Sequence, residues 1–184
     1  MELILASASP RRKELIALLG MPFTVKTASV DETMDNADIE TAVAELSLKK
    51  AKAVGAVHGK ITVAADTVVV LDGKVLGKPA NEEEAINMLT ALSGRTHQVM
   101  TGVTVLHSGG YRSCTQVTQV HFRSLSREEI EAYVATKDPM DKAGAYGIQS
   151  GAAVFVEGIE GDYFNVVGLP VCRLHQMIRE VMTE

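Results

Sequence analysis

Apolar positions along the chain alternate between short strand-like runs and longer stretches with helical spacing. Glu2 to Ala6 predicts a buried strand. Ser9-Pro10 then opens a helix with Leu15, Ile16, Leu18 and Leu19 on one face and Gly20 as its stop. Phe23 to Thr27 predicts a second strand. Ile39 to about Val57 carries helical periodicity through Val43, Leu46, Lys50 and Val54. The middle of the chain is richer in strands. Ile61 to Ala65 and Thr67 to Leu71 form one long apolar stretch centred on Asp66, and Asp72-Gly73 is a two-residue hairpin turn leading into Lys74 to Gly77.

Asn81-Glu-Glu-Glu84 caps a further helix with Ile86, Met88, Leu89 and Leu92 inside. Two long alternating strands, His97 to His107 and Tyr111 to Phe122, meet at Gly109-Gly110. Ser126-Arg-Glu-Glu129 is a capping box for a helix reaching about Thr136. Ala152 to Val156 and Phe164 to Val167 read as strands, and Pro170 begins a C-terminal helix. Strands and helices interspersed in this way, with some strands linked as hairpins, predict a mixed-sheet α/β or α+β fold.

Composition narrows the picture. With 184 residues, 46% of them hydrophobic and 22% charged, the chain suits one globular domain over 1–184, with room for two lobes. A chain of this size buries about 70% of its unfolded surface and needs no disulfide or metal staple. The net charge of -5 and 4% aromatics argue against a nucleic-acid partner, which would want a basic, aromatic-bearing face. No apolar run approaches the roughly 20 residues of a membrane span, and none resembles a signal peptide core. Cys114 and Cys172 form no Cys-x-x-Cys pair. They read as small buried hydrophobes in a reduced, cytoplasmic protein.

Chemistry is expected where local rules are broken. In Ser7-Ala-Ser9-Pro10-Arg11-Arg12, Ser9 and Pro10 suit a helix start. Two arginines do not, because the first turn already carries positive dipole charge. Free amides, two arginines and nearby hydroxyls make an anion site suited to phosphate; the alternative is a solvated pair, or one matched to Glu14. Asp66 is costly to bury between strand-forming residues unless a charge or donor meets it. It is therefore a candidate general base or metal ligand; otherwise it caps a strand break. The small residues of Asp141-Lys-Ala-Gly-Ala-Tyr-Gly-Ile-Gln149, and the similar Gly161 to Pro170, suggest backbone passing close to a ligand. Lys78-Pro79 places a cation on a rigid extended segment.

Other patterns return nothing. The chain holds no phosphate-binding Gly-x-x-x-x-Gly-Lys loop, dinucleotide Gly-x-Gly-x-x-Gly or nucleophile elbow. The five histidines have no metal-ligand spacing and read as surface or structural. Met88, Met100 and Met177 read as core filler.

Taken together, Leu3 to Arg12, Val30-Asp31-Glu32, Lys49-Lys-Ala-Lys52, Ala65-Asp-Thr-Val68, Gly77-Lys-Pro79, Leu92 to His97, Asp141 to Gln149 and Val167 to Pro170 resemble the Maf family of nucleoside triphosphate pyrophosphatases. The resemblance spans nearly the whole chain, and the joint order of the segments is what makes it specific. It implies a mixed-sheet α/β fold related to inosine triphosphatase, with two lobes around a deep cleft. It also implies hydrolysis of a nucleoside triphosphate to the monophosphate and pyrophosphate, assisted by a divalent cation, Mg2+ or Mn2+. On this resemblance Asp66 is the proton acceptor, Glu32 and Asp66 hold the metal, and Ser9, Arg11, Arg12, Lys50 and Lys78 bind phosphate. Lys50 has close neighbours in Lys49 and Lys52, but its spacing with Val43, Leu46 and Val54 favours it as the inward-pointing lysine. The chemistry is consistent, since triphosphate cleavage needs charge neutralisation and an in-line nucleophile more than covalent help.

One branch of the family resembles dTTP and UTP hydrolases. Another, linked to 7-methyl-GTP, has Trp for the first Arg, Gln after the Asp, and Glu for the Gln. Here the three positions are Arg11, Thr67 and Gln149, all of the first type. A glutamine amide matches the O4 and N3–H edge of uracil or thymine. It also meets cytosine if its amide turns over, so rejection of CTP depends on what fixes Gln149. The resemblance implies an enzyme that removes dTTP, UTP or modified pyrimidine triphosphates before incorporation into nucleic acid. The alternative is a nucleotide-binding regulator of septum formation with little turnover. Alternating strands around Val99 to Val105 would offer an edge for a homodimer.

Overall fold

The computed structural model describes residues 2–34 and 38–183. Two compact units emerge, Met1–Thr67 with Thr101–Gln116 and Phe164–Glu184, and Val68–Met100 with Val117–Tyr163.

The first unit starts with β1 (Glu2–Leu5), whose Leu3, Ile4 and Leu5 are all buried. Burial on both faces is the signature of a parallel strand. β1 accordingly pairs in parallel with β2 (Phe23–Val25) on one side and β3 (Lys60–Leu71) on the other. Between β1 and β2 lies α1 (Pro10–Ala17), capped by the Ser9 side chain. α2 (Ile39–Val54) is capped by Asp38 and ends where Gly55 turns at φ 91. It turns Val43, Leu46 and Val54 inward. α6 (Val171–Met182) buries Leu174, Met177, Ile178 and Val181 along one stripe.

β3 passes unbroken through Asp66 into the second unit. There Asp72 (φ 50) and Gly73 (φ 73) make the left-handed turn that pairs its end antiparallel with β4 (Lys74–Leu76). α3 (Glu82–Leu92) is capped by Asn81, and α4 (Arg127–Ala135) carries the capping box of Ser126 and Glu129. The two helices pack on each other. β5 (Thr96–His107) and β6 (Gly110–Phe122) are long strands shared by both units, and β7 (Val156–Glu160) pairs antiparallel with β6. The order of the seven-stranded sheet is β2-β1-β3-β5-β6-β7, with β4 on the far end of β3. This mixed sheet with helices matches the expected fold class.

Several expectations are corrected. Ala152 to Val156 is not a strand: Gly151–Phe155 form a 3-10 turn, with Ala153 N–H bonded to the Ser150 carbonyl. The burial of Ala152 and Phe155, three apart, is helical spacing. The strand follows instead as β7. Phe164 to Val167 is not a strand either but part of a short helix, α5 (Tyr163–Val167). The Phe164 carbonyl accepts from both Gly168 and Leu169, a helix-ending pattern that outweighs the β preference of Val166 and Val167. Leu18 is 61% exposed because α1 ends one residue before it. Ala85, rather than the half-buried Ile86, fills the inner face of α3. Cys172 is exposed on α6 and Cys114 half-buried, both as free thiols. The suggested dimer edge fails as well, because Val99 to Val105 lie in β5, paired on both sides by β3 and β6. Among the described residues, no helix is long and apolar enough to cross a membrane.

α2 lies unusually close to β5. Ser47 Oγ meets Thr104 Oγ1 at 2.6 Å, and a Cβ at Gly102 would stand 2.2 Å from the Val43 carbonyl oxygen. Neither backbone can give way without disturbing the strand or the helix that carries Lys50. Gly102→Ala is therefore expected to cost about 3 kcal/mol or more of stability. Urea unfolding checks this, and an unchanged midpoint would contradict the close packing.

Candidate active site

The first unit brings together most of the residues singled out in the sequence. Asp66 sits in the middle of β3 with only 14% of its side chain exposed, a position that demands compensation. Lys50 of α2 supplies it, donating from Nζ to Asp66 Oδ1 at 2.6 Å. The same ammonium also pairs with Glu32 Oε1 at 2.7 Å. Of the three neighbouring lysines, only Lys50 reaches Asp66. Lys49 Nζ donates to the Asp31 carbonyl at 3.0 Å, and Lys52 Nζ lies over the Tyr111 ring. The Lys49 contact matters for Glu32, because it pins the loop one residue before it. Thr33 tightens that loop by donating twice to Asp31 Oδ1, which lowers the Asp31 pKa below its ordinary value.

The start of α1 reaches the residue after Asp66, through Arg12 and Thr67. Arg12 is held by three of its five N–H donors: Nε to the Gly168 carbonyl at 2.8 Å, Nη1 to Ser7 Oγ at 3.3 Å, and Nη2 to Thr67 Oγ1 at 3.0 Å. Thr67 Oγ1 lies 2.9 Å from Thr101 Oγ1, and Thr101 donates on to the Asn165 carbonyl at 3.0 Å. The hydroxyls therefore run as one relay, each accepting from the residue before it. Burial pulls the Arg12 pKa below its ordinary value; Asp66 and Glu32 oppose this and Arg11 reinforces it. The other two Arg12 donors make no hydrogen bond among the described residues. Arg11 is half-buried, and its side chain makes no hydrogen bond or ion pair among the described residues. Nothing in the local sequence marks Thr101, Gly168 and Ser7 as supports for Arg12, beyond the presence of two threonines, Thr101 and Thr104, on an otherwise apolar strand.

Lys78 and Gln149 belong to the second unit, on segments joined by the Gly144 N–H bond to the Gly77 carbonyl at 3.0 Å. Both residues are exposed. Behind them is an aromatic cluster in which Tyr146 packs edge-on against Phe122 at 4.8 Å and against His97 at 5.4 Å. His97 Nε2 lies 2.7 Å from Tyr146 Oη, and its Nδ1 has no partner among the described residues.

Residues 2–181 match the family model described as Maf-like protein. The chain belongs to this family. A Symbiobacterium thermophilum protein named dTTP/UTP pyrophosphatase is 51% identical over 181 residues, which cover 97% of this chain and 93% of that one. A Moorella thermoacetica protein of the same name is 50% identical over 181 residues, covering 96% and 93%. Among solved structures, a HAM1 protein from Coxiella burnetii superposes with a TM-score of 0.53 over 98% of this chain and 99% of its own, at 15% identity. That likeness concerns the fold alone.

The donor set in this Maf-like chain suits a hard divalent cation. Glu32 and Asp66 offer carboxylate oxygens that converge on one positive charge, and Mg2+ sites commonly use one or two carboxylates together with substrate phosphates. No group of three or more His, Cys, Asp or Glu side chains able to hold a metal occurs among the described residues. Substrate oxygens would thus have to complete the coordination.

His97 is 2% exposed, and burial, with a smaller contribution from His121, pushes its pKa down to about 4. Between the ordinary histidine value and that value, the unfolded chain binds a proton that the native chain does not. Stability therefore falls as pH is lowered through this window. We expect a loss of about 2 kcal/mol between pH 7 and pH 5 in urea unfolding. His97→Phe should flatten the slope; an equal slope in that variant would contradict the assignment.

Proposed function

We propose that this chain is a nucleoside triphosphate pyrophosphatase acting on dTTP and UTP, and on modified pyrimidine triphosphates. It would cleave between the α- and β-phosphates to release the monophosphate and pyrophosphate, keeping these nucleotides out of nucleic acid. The observation that carries the reading is the Asp66–Lys50–Glu32 arrangement beside the arginine-bearing start of α1. The names of the relatives point the same way. The whole chain would act as one functional domain in the cytoplasm.

Lys50 occupies Asp66 Oδ1, so Oδ2 is the oxygen that would accept the proton of the attacking water. Mg2+ or Mn2+ held by Glu32 and Asp66 would lower the pKa of a water toward about 7 and polarise the α-phosphate. Arg11, the two remaining Arg12 donors, Lys50 and Lys78 would neutralise the phosphate chain and the departing pyrophosphate. The Ser9 hydroxyl proton and the Arg11 backbone N–H would add donors to the same anion, since Pro10 has no N–H and the Arg12 N–H is already given to Ser9 Oγ. Lys50 would share its charge between these two carboxylates and a phosphate oxygen of the substrate. Thr67 enters specificity through Arg12, whose guanidinium it holds. Gln149 would read the O4 and N3–H edge of the base.

Pyrophosphate release from a panel of canonical and modified triphosphates, with Mg2+, Mn2+ and chelator arms, tests the reading. Cation-dependent turnover of UTP and dTTP, with monophosphate as co-product, is expected. Preference for 7-methyl-GTP would overturn the roles of Arg11, Thr67 and Gln149. Binding of UTP without turnover would replace the enzyme by the septum regulator. Gln149→Glu is expected to lower kcat/KM for UTP by about 10- to 100-fold; an unchanged nucleotide profile would remove Gln149 as selector.

A further inference from the structure

A glutamine that distinguishes uracil from cytosine must be held, because either base can be met by turning the amide over. Gln149 itself is exposed in a turn, so the holding must come from its neighbours. Those neighbours converge on one carboxylate. Asp138 Oδ2 accepts from Tyr133 Oη at 2.6 Å and from Ser150 Oγ, while Oδ1 accepts from Lys142 Nζ at 2.9 Å. Tyr133 Oη in turn accepts the Gly147 N–H at 3.2 Å, and Ser150 Oγ also lies 3.0 Å from the Gly147 carbonyl. Lys142, at the start of the segment, has 10% of its side chain exposed and bridges Asp138 to Asp141 at 2.7 Å.

The contacts are distributed in a telling way. Gly147 and Ser150 flank Gln149 on both sides, and both are tied to the Tyr133–Asp138 pair on and just beyond α4. Tyr133 is fixed by its edge-on contact with Phe155 at 5.3 Å. Burial works to raise the Asp138 pKa, but the donors Ser150, Tyr133 and Lys142 outweigh it and hold the group below its ordinary value. Asp138 therefore stays anionic at neutral pH, where charge-assisted bonds are the strong ones.

We propose that Asp138 is a positioning residue for nucleobase selection. Through Tyr133, Lys142 and Ser150 it fixes the turn that presents Gln149. This rests on the reading of Gln149 as the base selector. Asp138 touches neither phosphate nor base; it limits the orientations from which Gln149 meets them. Small displacements of a positioned group are expensive in rate, so loosening the turn should damage discrimination more than turnover.

The test is kcat and KM for UTP and CTP in the wild type, Asp138→Asn, Tyr133→Phe, Ser150→Ala and Gln149→Glu, alongside thermal unfolding. In the folded Asp138, Tyr133 and Ser150 variants the UTP-to-CTP ratio of kcat/KM should fall on the order of tenfold. The fall should come mainly from a higher KM for UTP, with kcat for UTP within about threefold of wild type. A merely structural staple would lower the unfolding midpoint and leave the ratio intact, and that result overturns the proposal. Should Asp138→Asn fail to fold, the two milder variants decide by the same ratio. If Gln149→Glu alters the ratio and the other variants do not, only the positioning role falls. If the wild type does not distinguish UTP from CTP, the reading of Gln149 falls and this role falls with it.

Discussion

A carboxylate in the middle of a twelve-residue apolar strand is the constraint around which the first unit is arranged. Asp66 is tolerated there because Lys50 reaches it at 2.6 Å from α2. Removing the lysine would leave a poorly solvated charge without compensation, at a cost of about 3–5 kcal/mol for a fully buried pair and less here, with 14–15% of each side chain exposed. Lys50 can reach only because α2 lies close on β5, which in turn requires Gly102. Glu32 joins the same ammonium, held by the loop that Lys49 and Thr33 tie down. The packing of a helix on a strand thus has a direct chemical consequence, in that two carboxylates and one cation share a small space.

Beside this trio, Arg12 shows how a guanidinium can be both anchored and available. Three donors go to Gly168, Ser7 and Thr67, which fix its plane, and two are left. A phosphate meeting Arg12 would find a donor already oriented, so little rotamer entropy is lost on binding. The hydroxyl relay through Thr67 and Thr101 reaches the Asn165 carbonyl of α5, and Gly168 follows that helix directly. Asn165 and Gly168 therefore act as a backstop for Arg12.

Much of this was legible in the sequence because broken local rules are visible there. Asp66 between two apolar runs, arginines at a helix start and a lysine in phase with Val43 and Leu46 each point at the site without any coordinates. The capping box of Ser126 and Glu129 and the Asp72-Gly73 turn were equally readable, since their chemistry is local. The misreadings have the opposite character. Val166 and Val167 carry β preference, yet the carbonyl of Phe164 and the left-handed Gly168 close a helical turn there. β7 was displaced by a few residues because its Glu157 and Gly158 weaken the strand pattern. The Asp138 cluster was invisible, because Tyr133, Asp138 and Ser150 look like ordinary helix-end and loop residues, and the segment holding Lys142 shows its tie to them only once the chain folds back on itself.

The central claim is that Asp66 takes the proton while Lys50 and Glu32 hold the electrostatics in place. Single-turnover hydrolysis of UTP by Asp66→Asn, with saturating Mg2+ and the variant's fold verified by circular dichroism, tests it most directly. The amide keeps the shape and still accepts from Lys50, but it cannot take a proton, so the rate should drop by about 10²- to 10⁴-fold. A folded Asp66→Asn that turns over UTP within a few-fold of wild type would contradict the account.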